Sequence, residues 1–173
     1  MISVKGIHDY LSECVHGRRT HLPADEDEVW MTFSQRATNR LNTWAVRNFG
    51  VALNGHSSGR AWLRVDVERV GHVVDHRANQ GVPIADVLDL LTRSIPDGPV
   101  SFSQNQSTGN SPGRYNNQVL AFLPMVKGRQ GSIHGLSPCL VLEFVKLPMP
   151  HLQLVTGYWA AQKKIEALKK ASF

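Results

Sequence analysis

Cys139 is the residue of this chain best suited by type and setting to act as a nucleophile. It follows Ser137-Pro138 and opens the apolar run Leu140 to Val145. Proline restricts its own backbone, so a cysteine that follows it at the start of a buried strand is expected to be held in one direction at a sheet end, where a ligand could meet it. The reactive form is the thiolate, and a cysteine with a reference pKa of about 8.5 carries little of it at neutral pH. Cations lower that value, and Arg114, Lys127, Arg129 and His134 are all close in sequence. The competing reading is packing, because a cysteine flanked by Leu and Val is commonly a core residue.

Two other sets of residues have usable chemistry. His72 and His76 stand four apart with Asp75 beside the second, a spacing that aims two imidazoles at one metal if the segment is helical. Val70, Val73 and Val74 already form an apolar stripe there, which puts the three polar residues on the opposite face. The spacing nominates no third ligand, and catalytic zinc needs three, so no metal is expected. Arg18 and Arg19 could hold a phosphate by paired donors. Together with Lys127, Arg129, Lys163, Lys164, Lys169 and Lys170 they also define an alternative reading, a basic module for nucleic acid or an acidic partner protein. Against that stands the ordinary solvated surface, where exposed lysine costs little.

The elements that must position Cys139 are three strand-like segments. Gln118 to Leu123 is apolar without interruption from Val119, as a strand buried on both faces would be, and Pro124 closes it. Leu140 to Val145 is the second. Leu152 to Val155 is the third, closed by Gly157-Tyr158. Upstream, Val29 to Phe33 reads as a strand with Trp30 and Met31 on opposite faces, and Arg36 to Phe49 as an amphipathic segment carrying Leu41, Trp44, Ala45 and Phe49. Gly50 to Gly59 is turn material. Leu63, Val65 and Val67 alternate with Arg64, Asp66 and Glu68, a strand with one wet face.

Pro83 opens a helix through Arg93, ended by Pro96-Asp97-Gly98-Pro99. Ser101 to Gly113, rich in Ser, Gln, Asn and Gly, reads as a loop, either a surface connection or a lid. Near the N-terminus, Ile7, Tyr10, Leu11, Cys14 and Val15 mark a helix in which Cys14 packs. Gln162 to Phe173 reads as a short basic helix with Ile165 and Leu168 inward.

With 173 residues, 42% hydrophobic and 19% charged, the chain is expected to form a single domain over 1–173, large enough for a core of its own. No apolar stretch approaches the roughly 18 residues that span a bilayer, and no secretion signal is evident, so a cytoplasmic protein without a membrane partner is expected. Cys14 and Cys139 are then expected to be free thiols. The net charge of +5 and pI near 9.5 favour anionic partners without identifying one.

The order of features from Arg114 to Tyr158 resembles the thymidylate synthase family. There an arginine pair begins a buried strand ending in proline, a loop leads to Pro-Cys, a strand carries Gln-Phe, and a third strand ends in Tyr-x-Arg-Ser. Here the run is Arg114, Val119-Leu120-Ala121-Phe122-Leu123-Pro124, Leu136-Ser137-Pro138-Cys139, Glu143-Phe144, and Leu152 to Val155 with Tyr158. The Pro83 to Arg93 helix also stands where the family has one, and with it the resemblance covers about a third of the chain. It implies an α/β (α+β) fold with a central mixed or antiparallel sheet and flanking helices, and a homodimer joined through the sheet. It also implies a pyrimidine nucleotide as ligand and a one-carbon transferase in which Cys139 adds to a ring carbon and activates its neighbour. Arg114 would reach the phosphate and Tyr158 the sugar, with Ser137 and Arg129 completing the substrate-binding set.

Reduced folate would be the one-carbon donor, although the tail that covers it in that family has no counterpart here. Tyr115 replaces the second arginine, and Trp159-Ala160 replaces the Arg-Ser pair after the tyrosine. These replacements frame a second alternative, a catalytically inactive structural or regulatory relative. The Cys139 to Phe144 interval is one residue shorter than in the family, which calls for a β-bulge if the strand faces are to be kept.

Overall fold

The computed structural model describes residues 28–54, 58–81, 101–106, 115–122 and 136–173. Its frame is a six-stranded mixed sheet in the order β1-β2-β6-β5-β4-β3. The strands are β1 (Glu28–Thr32), β2 (Trp62–Asp66), β3 (Ser101–Gln104), β4 (Gln118–Phe122), β5 (Leu136–Val145) and β6 (His151–Ala161). All neighbours are antiparallel except β2 and β6, which pair in parallel at Leu63↔Leu152 and Arg64↔Gln153. Three helices are described: α1 (Gln35–Phe49), α2 (Val67–Ala78) and α3 (Gln162–Lys170). The class is α+β, as expected in its coarse form.

Alternation along the strands gives the sheet two buried faces. On one, Leu63, Val65, Val119, Ala121, Leu140, Leu142 and Leu154 meet Leu41, Trp44 and Ala45 of α1 and Val70 and Val73 of α2. On the other, Leu120, Phe122, Cys139, Val141 and Ala160 lie beneath Ile165 and Leu168 of α3. Every residue of β4 is buried, which is why that segment lacks polar alternation. Each fully buried Leu or Phe contributes roughly 2 kcal/mol by leaving water, so the double-faced middle of the sheet is its most stabilised part.

Local chemistry explains the boundaries. Ser34 caps α1 by accepting from the Ala37 N–H, and Gly50 ends it in the left-handed region at φ 68°, a conformation that favours glycine. The strand read through Glu68 stops at Asp66. Its carboxylate accepts from the Arg69 N–H at 2.8 Å and so caps α2, which starts at Val67. Capping overrides the period-two pattern there.

Three sequence expectations need correcting. Ser101–Gln104 is strand β3, not loop. Phe102 and Ser103 are buried, and the strand pairs with β4 along its whole length. The third strand does not close at Gly157-Tyr158 but runs on to Ala161. The bulge lies on β6, not within the Cys139 to Phe144 interval. Val141 pairs with Thr156 while Leu142 pairs with Leu154, leaving Val155 as the extra residue. That insertion lets Leu154 and Trp159 face α1 and α2 while Val155 and Tyr158 face the other way. The helices read at Ile7–Val15 and Pro83–Arg93 lie outside the described residues.

Candidate functional site

Cys139 is the fourth residue of β5, in the body of the sheet and not at its end. The apolar run from Leu140 understated the strand, because Leu136-Ser137-Pro138 also pairs with β6. Among the described residues the β4–β5 register runs to Phe122↔Cys139, and Pro138 stands opposite Trp159 of β6. Directly across the ladder from Cys139 stands Tyr158. With Leu120, Val141 and Ala160 around them and α3 above, the sulfur has no exposed surface: Cys139 is 0% exposed, and it is a free thiol.

The Tyr158 hydroxyl and the Cys139 thiol are hydrogen-bonding partners. Burial pushes the Cys139 thiol up to about 11, and the Tyr158 hydrogen bond and the nearby Lys164 charge offset only part of that. Tyr158 is likewise raised, first by burial and then by its proximity to Cys139, with Arg77 opposing. At neutral pH the pair is therefore thiol and phenol, both protonated.

Two cations flank the pair from different helices. Lys164 sits in the first turn of α3, which follows β6 without a break. Arg77 sits in the last turn of α2, which packs against β6. Burial lowers the Arg77 pKa and proximity to Tyr158 opposes this; a guanidinium stays charged regardless. Its Nη1 donates to Gln80 Oε1 at 2.6 Å, while its Nε is buried without a hydrogen-bond partner.

Of the residues expected at the site, the structure brings together Cys139 and Tyr158. Ser137, two positions before Cys139 and on the same strand face, is also buried. Arg114 and Arg129 lie outside the described residues, as do Lys127, His134, Arg18 and Arg19. Arg77 was missed by sequence reasoning. It falls on the helical stripe of Val70, Val73 and Val74, so a cation in register with an apolar stripe was the available signal. Lys164 was noted only as one of four surface lysines.

His72 and His76 are exposed on α2 with parallel rings 6.0 Å apart. Among the described residues no group of three or more His, Cys, Asp or Glu side chains could hold a metal ion, and no helix is long and apolar enough to cross a membrane. No protein-family model, curated protein or solved structure matches this chain.

Proposed function

We propose that this chain binds a pyrimidine nucleotide at the Cys139–Tyr158 pair, as a relative of the thymidylate synthases would. The observation that carries the reading is the arrangement itself. A thiol and a phenol face each other on adjacent strands, hydrogen-bonded, with Arg77 and Lys164 in electrostatic reach from two helices. In the catalytic form of the proposal, the Cys139 sulfur adds as a thiolate across a ring double bond, and the electron pair placed on the neighbouring carbon takes a one-carbon group from a reduced folate donor that keeps the leaving nitrogen. Loss of that carbon's proton then expels the thiolate and restores the double bond.

A second reading, an inactive relative that binds without turning over, is favoured by one specific observation. The sulfur is fully buried and its pKa is raised, the opposite of an activated nucleophile. Calorimetric titration with pyrimidine and purine nucleoside monophosphates tests the shared part of both readings, and selective pyrimidine binding is expected. Mass spectrometry after incubation with a mechanism-based pyrimidine analogue separates them. A covalent adduct that disappears in Cys139→Ala supports transfer; binding without adduct supports the inactive relative. Absence of pyrimidine nucleotide binding refutes both.

A further inference from the structure

Between β5 and β6 the chain turns through Lys146-Leu147-Pro148-Met149, and all four residues are exposed. Leu147 is 75% exposed and Met149 40%, an apolar pair of the kind that leaves water when it can. Pro148 and Pro150 have no N–H, so the hairpin apex has fewer backbone donors to strip of water on entering an apolar medium. Half-buried Trp30 and Trp62 sit at its root. The Trp30 ring lies 4.8 Å from that of His151, the first residue of β6, and 5.7 Å from that of Trp62. Indole rings favour the boundary between apolar and aqueous phases. Charge at this end of the sheet has one sign. β2 runs parallel to β6, so exposed Arg60, just before β2, lies at the hairpin end. The bond from the Phe33 N–H to the Ala61 carbonyl at 2.9 Å brings the start of α1, with exposed Arg36, to the same end. Among the described residues the carboxylates lie elsewhere. Glu28 and Asp66 pair at the opposite end of β1 and β2, where α2 begins with Glu68 and continues to Asp75. Glu143 accepts from Asn117 within the sheet, and Glu166 is on α3, past the far end of β6.

We infer that this end of the sheet docks on the surface of an anionic phospholipid bilayer. Leu147 and Met149 enter the boundary between headgroups and acyl chains, and Arg36, Arg60 and Lys146 meet the anionic headgroups. The combination selects the partner. A nucleic acid would match the three cations and leave the apolar apex in water, whereas an anionic bilayer matches both at once. A protein that lies on a bilayer needs neither a spanning helix nor a secretion signal, the two features whose absence suggested no membrane partner. Cys139 and Tyr158 stand toward the other end of β5 and β6, so docking is independent of the nucleotide reading.

The test is co-sedimentation of the whole chain with vesicles of phosphatidylcholine alone or mixed with phosphatidylserine, and a single-stranded oligonucleotide is the competing probe. The wild type is compared with the double variant Leu147→Ser/Met149→Ser, with Lys146→Glu, and with Val46→Ser, which removes an exposed apolar side chain from α1. Inserting two such side chains contributes about tenfold or more in partitioning, and each cation at an anionic surface roughly fivefold. The wild type should bind the mixed vesicles and bind phosphatidylcholine alone more weakly. The double variant should lose at least about tenfold on mixed vesicles and Lys146→Glu about fivefold, with Val46→Ser unchanged. In the unmodified chain the Leu147 and Met149 methyl resonances should broaden on adding mixed vesicles, a readout that does not depend on any variant folding. Wild type that stays in solution, methyl resonances that do not change, or a double variant that binds as the wild type does overturns the inference. Equal binding to neutral vesicles, or capture of the oligonucleotide without the vesicles, overturns it as well.

Discussion

Alkylation of Cys139 should be slow in the native chain, and its pH dependence should be displaced to alkaline pH. Burial pushes the thiol up to about 11, from an unperturbed value of about 8.5 to 9. At any pH well below both values the thiolate is then about one-hundredth as populated as in the unfolded chain. Because the sulfur is also closed off by α3, ionisation alone sets only the minimum retardation. The same displacement is a stability statement. Below pH 9 the thiol is protonated in both folded and unfolded states, and its contribution is at its most favourable. Between about 9 and 11 the unfolded state releases the proton first, so stability falls by roughly 2–3 kcal/mol as pH rises through that window. Tyr158, raised as well, adds a loss of the same sign that sets in above its ordinary value of 10.0.

The assay pairs site-resolved iodoacetamide kinetics, read by mass spectrometry so that Cys14 is scored separately, with urea unfolding at pH 8 and pH 10.5. Wild type should lose more stability across that interval than Cys139→Ala. Native alkylation at the rate of an unfolded control, or identical pH dependence in the variant, would refute the electrostatic account of the site.

Other consequences concern the frame that holds the pair. Asp66→Ala removes both the cap of α2 and the bond from Gln153 Nε2 to the second carboxylate oxygen at 3.0 Å. The expected loss is about 2–3 kcal/mol in chemical denaturation, and a loss under 0.5 kcal/mol would contradict the capping argument. Trp44→Phe keeps an aromatic side chain but loses the five-membered ring, and with it the 2.6 Å bond from Nε1 to Gln104 Oε1 that ties α1 to β3. Denaturation should show about 1–2 kcal/mol of destabilisation, whereas an unchanged midpoint would mean that the contact contributes nothing.

The parts of the fold legible in the sequence are those where one physical signal acts alone. The α1 stripe of Leu41, Trp44 and Ala45, the all-apolar β4 and the inward Ile165 and Leu168 of α3 each bury the residues that the pattern nominates. Where two signals compete, the pattern misleads. Val67 and Glu68 continue an alternation that the Asp66 cap terminates. β3 is held by backbone pairing and a single buried Phe102, so its Ser and Gln residues disguise it as a loop. The strand order, in which β6 lies between β2 and β5, depends on long-range pairing that no local window contains.

The site divides along the same line. Cys139 and Tyr158 were nominated individually, and their exact opposition requires the register of β5 on β6, which the Val155 bulge helps to set. Arg77 comes from a helix whose residues drew attention for their histidines. Its approach to Tyr158 follows from α2 packing against β6.

Titration of isotopically labelled chain with a pyrimidine nucleoside monophosphate, followed by amide chemical shifts, tests the central claim most directly. The nucleotide reading predicts saturable changes centred on Cys139, Tyr158, Arg77 and Lys164, and smaller or absent changes with the purine counterpart. Changes confined to other surfaces, or none at millimolar ligand, would contradict it.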